Sequence, residues 1–352
     1  MVPEYFARLK LKAKDQKPKT KDRKPIGNRQ LAIGNDTLPK LLSKLVTPWY
    51  PSTAIGLEKG IASMVDLGRG RGNVRHVRRA ATVQLPDSLI QPSFDQSNVA
   101  DQAELAAALS EMANSAGLLR QKRWSVTLPE ATTRALIVTL ETAVGSQSEL
   151  EEVLAWKMDR GFGVPLDELS VAREALPKDA QGRARYLVVA TRVGVLREYE
   201  QVFSLLGWRA GLILPRYLGE AQWLKGNGFK GDTLLVSSSD DGFTAVVFRE
   251  QRPLILRSVR CDSQEQEDEL YRLLMFYRDR RVSDESESSQ MLSGLLVTGR
   301  GFSKTRVGEI VNETLGGDVR PLEAYDLGLQ LPTRDLSFDV IAAPSGLATL
   351  SL

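Results

Sequence analysis

The residue types that most often perform enzyme chemistry occur in this chain without partners at catalytic spacing. His76, the only histidine in 352 residues, stands among arginines and has no acidic residue at catalytic spacing, which is typical of a surface strand. Cys261, the only cysteine, follows no nearby histidine and favours a buried structural thiol. Ser238 lies outside any Gly-x-Ser-x-Gly motif. A structural zinc site takes about four Cys or His ligands, so we expect no metal site. Because none of these side chains has a catalytic partner, we also expect no catalytic residue.

Two short motifs could still contact a ligand. Asp240 and Asp241 are adjacent carboxylates that could hold a cation, although a two-Asp turn between β runs is more typical of a solvated turn. Gly299 and Gly301 flank Arg300 after an apolar run and would allow close approach of the backbone, which a plain turn explains equally well.

The elements that must position these motifs form two similar sets. Three β runs separated by Gly60 and by Gly68–Gly72 predict a meander, and three further β runs begin at residue 233. Helices and strands follow each meander, so the pattern predicts two α/β lobes. The predicted strands are 53–59, 61–67, 74–85, 124–128, 135–141, 186–191, 210–214, 233–236, 243–248, 253–259 and 295–298, and the predicted helices are 100–116, 146–160, 195–206, 218–224, 264–280 and 304–315, before a last apolar segment at 336–350.

Two helical faces could serve either a core or a partner. The helix at 264–280 carries Leu270, Leu273, Leu274 and Tyr277 on one face, which favours core. Trp156 could anchor a partner, because tryptophan is enriched at binding hot spots, but core packing is the preferred interpretation.

The charge of the chain is concentrated in its first residues. Residues 1–30 contain ten Lys or Arg and three acids, a net +7, against +3 for the whole chain, so the remainder carries −4. The segment 1–46 has few apolar residues to bury and predicts a disordered basic tail, with contact to anionic lipid as an alternative. It lacks interleaved aromatic residues, so we expect no nucleic-acid binding. The single cysteine favours a reducing compartment. The sequence has no run of about 18 apolar residues, so we predict no membrane span.

Several segments, in order, resemble those of a known family. Ala54–Gly60 (AIGLEKG) resembles a first hairpin with a Gly–apolar–Asp–apolar–Gly motif, and Ser148–Pro165 resembles an acidic helix that leads into a PLDE run. The other matching segments are Pro165–Glu168, Tyr186–Thr191, Leu234–Phe248, Leu295–Gly301 and Ile341–Leu350. Over residues 53–352 the chain thus resembles the type IV pilus assembly protein PilM family, with FtsA and the cytoplasmic domain of GspL as related folds.

The resemblance implies an α/β, actin-like (ribonuclease H-like) fold of two lobes with an inserted subdomain called 1C. The implied boundaries are a basic tail at 1–46, a first lobe (1A) at 47–85 and 172–230, subdomain 1C at 86–171, and a second lobe (2A and 2B) at 231–352.

The resemblance also implies where a nucleotide would bind, between two glycine-containing hairpins. Glu58 stands where the family has Asp, two residues before Gly60. In the second hairpin Ser237 aligns with the family's Asp and Ser239 with its Gly. Magnesium with its water shell favours carboxylate ligands, so these changes weaken the metal site.

The remaining nucleotide-site positions are altered as well. Asp240 and Asp241 put negative charge where phosphate would lie and would repel it. Only Gly299 and Gly301 remain on the side of the adenosine. We therefore expect a pseudo-ATPase with no bound cofactor, and keep binding of ATP and magnesium as the alternative.

The function implied is that of a cytoplasmic scaffold. Its expected partners are the N-terminal tail of a PilN-like inner-membrane protein and the pilus motor ATPases, with peripheral association at the inner membrane and a homo-oligomer as an open option. The tail would lie between the first meander and the inserted subdomain, by strand addition. The alternatives are a Mg-ATP-dependent conformational switch and an FtsA-like membrane-associated filament.

Overall fold

Three β-sheets organise the part of the chain that the computed structural model describes, which comprises residues 50–72, 74–141, 145–225, 228–283, 292–332 and 336–352. The predicted tail at 1–46 lies outside these ranges. The strands are β1 (Thr53–Glu58), β2 (Ile61–Arg69), β3 (Arg75–Gln84), β4 (Arg123–Leu128), β5 (Arg134–Thr139), β6 (Leu169–Leu176), β7 (Arg185–Arg192), β8 (Arg209–Pro215), β9 (Thr233–Ser239), β10 (Gly242–Arg249), β11 (Arg252–Arg260), β12 (Gly294–Gly299) and β13 (Leu329–Gln330).

Helices cover these sheets. They are α1 (Gln102–Ser115), α2 (Gln147–Phe162), α3 (Val193–Leu205), α4 (Arg216–Glu220), α5 (Gln266–Ser283), α6 (Lys304–Leu315) and α7 (Phe338–Ala348), with 3₁₀ turns at Glu130–Thr132, Leu166–Glu168, Ala221–Leu224 and Thr349–Ser351. Within the described ranges, no helix combines the length and the apolarity needed to cross a membrane.

The first sheet contains the predicted meander and has the order β13–β3–β2–β1–β4–β8. β1, β2 and β3 are antiparallel, whereas β4 pairs parallel to β1 and β8 parallel to β4. The carboxyl ends of β1, β4 and β8 therefore meet at one edge of the sheet, and their amino ends meet at the opposite edge. Helices α1 and α3 cover one face, in a core that includes Leu109, Tyr199 and Trp124.

The second sheet repeats the arrangement. Its order, β11–β10–β9–β12, matches β3–β2–β1–β4 of the first sheet, with β10 antiparallel to both neighbours and β12 parallel to β9. Leu270, Leu274 and Tyr277 of α5 are buried in its core, which confirms the core interpretation of that helical face.

A third sheet, β5–β7–β6, lies within the first lobe in sequence and packs against α2. The predicted boundary of the insertion, 86–171, is wrong in detail because α1 and β4 belong to the first sheet and its core. The separate sheet is formed instead by residues 134–192. Hydrophobic periodicity indicates the type of an element but not the sheet that it joins.

The amino-terminal cap of α2 matches a capping box in part. Ser146 accepts a hydrogen bond from the Glu149 amide at 3.2 Å, as a capping box requires. Glu149 accepts in return from the amide of Gly145 at 2.9 Å rather than from Ser146. Trp156 on this helix is 58% exposed, so its predicted core position is wrong. Cys261 is half-buried rather than buried.

Two helices connect the lobes. α4 leads from β8 towards the second sheet, and α7 returns from the second lobe to pack on β1, β2 and β4. The two helices touch through backbone, because an added Cβ on Gly346 would lie 2.1 Å from the carbonyl oxygen of Gly219. The glycines therefore set how closely α4 and α7 cross.

Substitution Gly346→Ala should lower the free energy of unfolding by about 1–3 kcal/mol, because the new methyl group collides with the main chain of α4. The control is Gly194→Ala in α3, where an added Cβ meets no atom within 4 Å. That change should raise stability by about 0.5–1 kcal/mol. Denaturant unfolding measures both, and equal effects of the two substitutions would contradict the close crossing.

Candidate functional site

The carboxyl ends of the strands in both lobes converge on a small cavity. Glu58 ends β1, Glu130 follows β4, and Arg216 follows β8. Because these three strands run parallel, their carboxyl ends bring the three residues to the same edge of the sheet. The β9–β10 turn contributes from the second sheet. The cavity has a volume of about 50 Å³ and is lined by Glu58, Lys59, Pro92, Pro129, Glu130, Ala131, Arg216, Ser238, Ser239, Asp240, Asp241 and Arg300.

Arg216 occupies the centre of this cleft. It is 3% exposed. Its Nη1 donates to Oε2 of Glu58 at 2.9 Å and to the carbonyl oxygen of Ser238 at 3.2 Å, and its Nε donates to Oε1 of Glu220 at 2.7 Å. One guanidinium thus binds the first sheet, the connecting helix α4 and the second sheet. Such charge-assisted bonds are about twice as strong as neutral ones.

The sequence places Arg216 there by a direct strand-to-helix transition. β8 ends at Pro215, whose fixed φ suits the position before a helix, and α4 starts at the next residue. Arg216 and Glu220 are four residues apart and therefore lie on the same face of α4. That face points into the cleft, since both residues are buried.

The carboxylates around Arg216 have shifted acidities. Burial raises the pKa of Glu130 to about 8, against the opposing effect of Arg216. Burial also raises the pKa of Glu58, although Arg216 lowers it. Burial alone would lower the pKa of Arg216, but Glu220 and Glu58 more than offset this, so its pKa lies above the ordinary value. At neutral pH the cluster therefore combines a charged guanidinium with a protonated Glu130.

Several buried polar atoms of this cluster have no hydrogen-bond partner among the described residues. They are both carboxyl oxygens of Glu130, Nη2 of Arg216 and Oε2 of Glu220. Buried polar atoms of this kind usually have a protein or water partner. A cavity of about 50 Å³ exceeds the roughly 10–15 Å³ that one water molecule needs.

The residues predicted from the sequence as nucleotide-site positions fall into two groups. Glu58 and Ser239 line the cavity, whereas Gly60 forms the β1–β2 turn at φ 73° and Ser237 is fully buried in β9. Gly299 and Gly301 pack against the β9–β10 hairpin.

The two glycines at and just after the end of β12, Gly299 and Gly301, have a packing reason to be glycine. An added Cβ on Gly299 would lie 2.0 Å from the carbonyl oxygen of Ser238, and one on Gly301 would lie 2.3 Å from that of Ser239. Gly299 also has a φ of 95°, which favours glycine. The Gly-x-Gly motif thus fits the close approach of two strands in the same sheet.

Three residues of the cluster were not predicted from the sequence: Glu130, Arg216 and Glu220. The four-residue spacing of Arg216 and Glu220 was a visible signal, but it is common on exposed helices. Glu130 follows Pro129 in a segment predicted as a loop, where a buried carboxylate is unexpected.

The arrangement neutralises charge within the protein. Within the described ranges, no group of three or more His, Cys, Asp or Glu has the geometry to hold a metal ion. A divalent cation beside Glu58 would also be repelled by the guanidinium of Arg216 at 2.9 Å. The cleft is thus built as an internal ion-pair cluster.

The architecture is similar to solved structures. A chain of the PilM–PilN type IV pilus biogenesis complex superposes with a TM-score of 0.65 at 15% identity, covering 86% of this chain and 99% of that one. The chain has an actin-like fold. No protein-family model and no curated protein sequence matches it.

Two further structures align over most of their length at lower similarity. An actin-like ATPase fold protein of unknown function from Bacteroides thetaiotaomicron has a TM-score of 0.44 at 13% identity, covering 89% of this chain and 99% of that one. The cytoplasmic domain of EpsL, an inner-membrane component of the type II secretion system of Vibrio cholerae, has a TM-score of 0.42 at 15% identity, covering 85% and 93%.

Removal of the charge of Arg216 should strongly lower the free energy of unfolding. Arg216→Met leaves Glu58 and Glu220 buried without their counter-charge, and breaking a buried pair in this way typically costs about 3–5 kcal/mol. The matched control is Arg78→Met, which removes a half-exposed arginine paired with Asp66 at 2.6 Å and should cost about 1 kcal/mol or less. Denaturant unfolding at neutral pH measures both free energies. A loss of less than 1 kcal/mol for Arg216→Met would show that the cluster does not hold the lobes.

The acidity of Glu130 predicts a pH dependence of stability. Its pKa of about 8 in the folded chain lies above that of an unfolded glutamate, near 4.5. The folded state therefore keeps a proton that the unfolded state releases, and stability should fall as pH rises from about 5 to 8, by up to ~1.4 kcal/mol per pH unit.

Glu130→Gln should flatten this dependence and raise stability at pH 8 relative to the unsubstituted chain. Unfolding curves at several pH values between 5 and 8 measure the slope, with Glu111→Gln on the surface of α1 as the control for loss of a glutamate. Parallel slopes for Glu130→Gln and the unsubstituted chain would contradict a protonated Glu130.

Proposed function

We propose that the chain is a cytoplasmic scaffold of the type IV pilus assembly platform that binds the N-terminal tail of a PilN-like inner-membrane protein. The observation that carries the proposal is the likeness to a chain of the PilM–PilN complex, over 86% of this chain and 99% of that one. The ordered sequence segments that resemble PilM support the same assignment.

We further propose that the nucleotide site is degenerate and that the chain is a pseudo-ATPase. Arg216 fills the centre of the cleft, and its bonds to Glu58 and Glu220 use the carboxylates that would otherwise face a ligand. A triphosphate would also approach Asp240 and Asp241 on the cavity wall. Its own negative charge opposes that approach, although both aspartates are exposed and water weakens the repulsion.

We propose a site for the partner's tail that differs from the one that the resemblance implies, between the first meander and the inserted subdomain. An apolar groove of about 90 Å³ lies between β8 and the inserted sheet. Its walls include Leu212 and Leu214 of β8, Ala172 of β6 and Val189 of β7. Thr133, Ser170, Thr191 and Glu200 add polar groups.

Both strands beside the groove have a free edge within the described residues. β8 pairs with β4 alone, and β6 pairs with β7 alone. An extended peptide could therefore bond to the backbone of either strand while its apolar side chains enter the groove, the mode known as strand addition. This geometry supports the proposed peptide site.

The test is calorimetry of the purified chain with a synthetic N-terminal peptide of the PilN-like partner, and separately with millimolar Mg-ATP. The peptide should bind and Mg-ATP should give no binding heat. Ala172→Trp fills the groove and should weaken peptide binding at least about tenfold, which is 1.4 kcal/mol.

The matched control is Ala175→Trp, on the same strand but exposed and outside the groove. It should leave peptide affinity unchanged. Failure of the peptide to bind would overturn the scaffold proposal. Micromolar binding of ATP that requires magnesium would instead favour the conformational switch.

A further inference from the structure

The amino ends of the first sheet carry a concentration of positive charge. β1, β4 and β8 begin at this edge, while β2 ends and β3 begins there, because β2 is antiparallel to β1 and β3. We define the basic edge as residues 67–72, 74–79, 116–123 and 205–210. These segments contain nine Lys or Arg and no Asp or Glu: Arg69, Arg71, Arg75, Arg78, Arg79, Arg120, Lys122, Arg123 and Arg209.

Strand pairing places these segments side by side. Arg69 pairs with Arg75 across β2 and β3, and Arg123 pairs with Arg209 across β4 and β8. The amide of Arg209 donates to the carbonyl oxygen of Lys122 at 2.8 Å, which joins the loops that follow α1 and α3. The positive charges therefore share one edge of a single sheet.

Most of these side chains are not used by the fold. Arg78 pairs with Asp66, Arg79 donates to the carbonyl oxygen of Gly117, and Arg75 lies over the ring of Trp223. The other six are exposed and have no ion-pair partner among the described residues: Arg69, Arg71, Arg120, Lys122, Arg123 and Arg209. Since the chain beyond residue 30 carries a net −4, this edge is a local excess and not a reflection of the overall charge.

Two apolar side chains accompany the charge. Leu119 is 49% exposed in the loop after α1, and Leu205 is 62% exposed at the end of α3. The described chain also begins here, because the carbonyl oxygen of Ser52 accepts from the amide of Leu67 at 3.0 Å.

We propose that the basic edge binds the surface of an anionic phospholipid bilayer directly. Lysine and arginine near such a surface each contribute about 1 kcal/mol, or about a fivefold gain in partitioning, and exposed leucines can enter the interface. Nucleic acid is the other polyanion to consider. The exposed side chains between these cations are leucines, which offer neither stacking nor hydrogen bonds to bases. This contact goes beyond the proposed peptide partner and does not depend on it.

The test is co-sedimentation of the full chain with vesicles of phosphatidylcholine containing phosphatidylglycerol, and with vesicles of phosphatidylcholine alone. The chain should partition onto the anionic vesicles only, and binding should fall steeply between about 0.1 M and 1 M salt. The triple variant Arg71→Gln, Arg120→Gln and Lys122→Gln should bind about 100-fold more weakly.

The matched control is Arg160→Gln, Lys178→Gln and Lys230→Gln, which removes three exposed cations elsewhere and should change partitioning less than about threefold. Equal losses for the two triple variants, or wild-type binding by the first, would overturn the proposal. Tighter binding to duplex DNA than to vesicles, lost in the first variant, would assign the edge to nucleic acid and also overturn it.

Peptide calorimetry on the same variants separates this contact from the peptide site. All of them should bind the PilN-like peptide as the unsubstituted chain does. Loss of vesicle binding with intact peptide binding supports the lipid contact, whereas intact vesicle binding without peptide binding leaves it standing and removes only the scaffold proposal.

Discussion

The guanidinium of Arg216 is the interaction on which the rest of the cleft depends. It bonds to a strand end of the first sheet, to its own helix α4 and to a carbonyl group of the second sheet. A buried ion pair adds little to the free energy of unfolding once the cost of removing both charges from water is included. Its contribution is therefore mainly one of specificity: the pairs with Glu58 and Glu220 fix the guanidinium within the first sheet and α4, and the bond to the carbonyl oxygen of Ser238 is the one that reaches the second sheet.

The repeated part of the fold could be predicted from the sequence because its signals are local. Short β runs separated by turns marked both meanders, and the spacing of Leu270, Leu274 and Tyr277 marked a buried helical face. β6 was not predicted because its segment, LSVAREAL, contains charged residues and lacks a continuous apolar run. The strand is only partly buried, so its sequence can carry these charges. The limits of the insertion were misjudged because pairing between β1 and β4 joins residues about seventy positions apart.

The centre of the site was harder to predict than its rim. Glu58 and Ser239 lie at hairpin ends, where a comparison with hairpin motifs directs attention. Arg216, Glu130 and Glu220 are common surface residue types, and their burial arises from the return of α7 and from the second sheet, neither of which is local in sequence. Trp156 shows the opposite error, because a large aromatic residue suggests burial although the fold leaves it exposed.

The contact between Gly219 and Gly346 has a mechanical consequence. Side chains at an interface can change rotamer and let neighbouring elements slide, but here two main chains meet with no side chain between them. The spacing of α4 and α7 is therefore fixed by main-chain atoms, and no change of rotamer at the crossing can make it smaller.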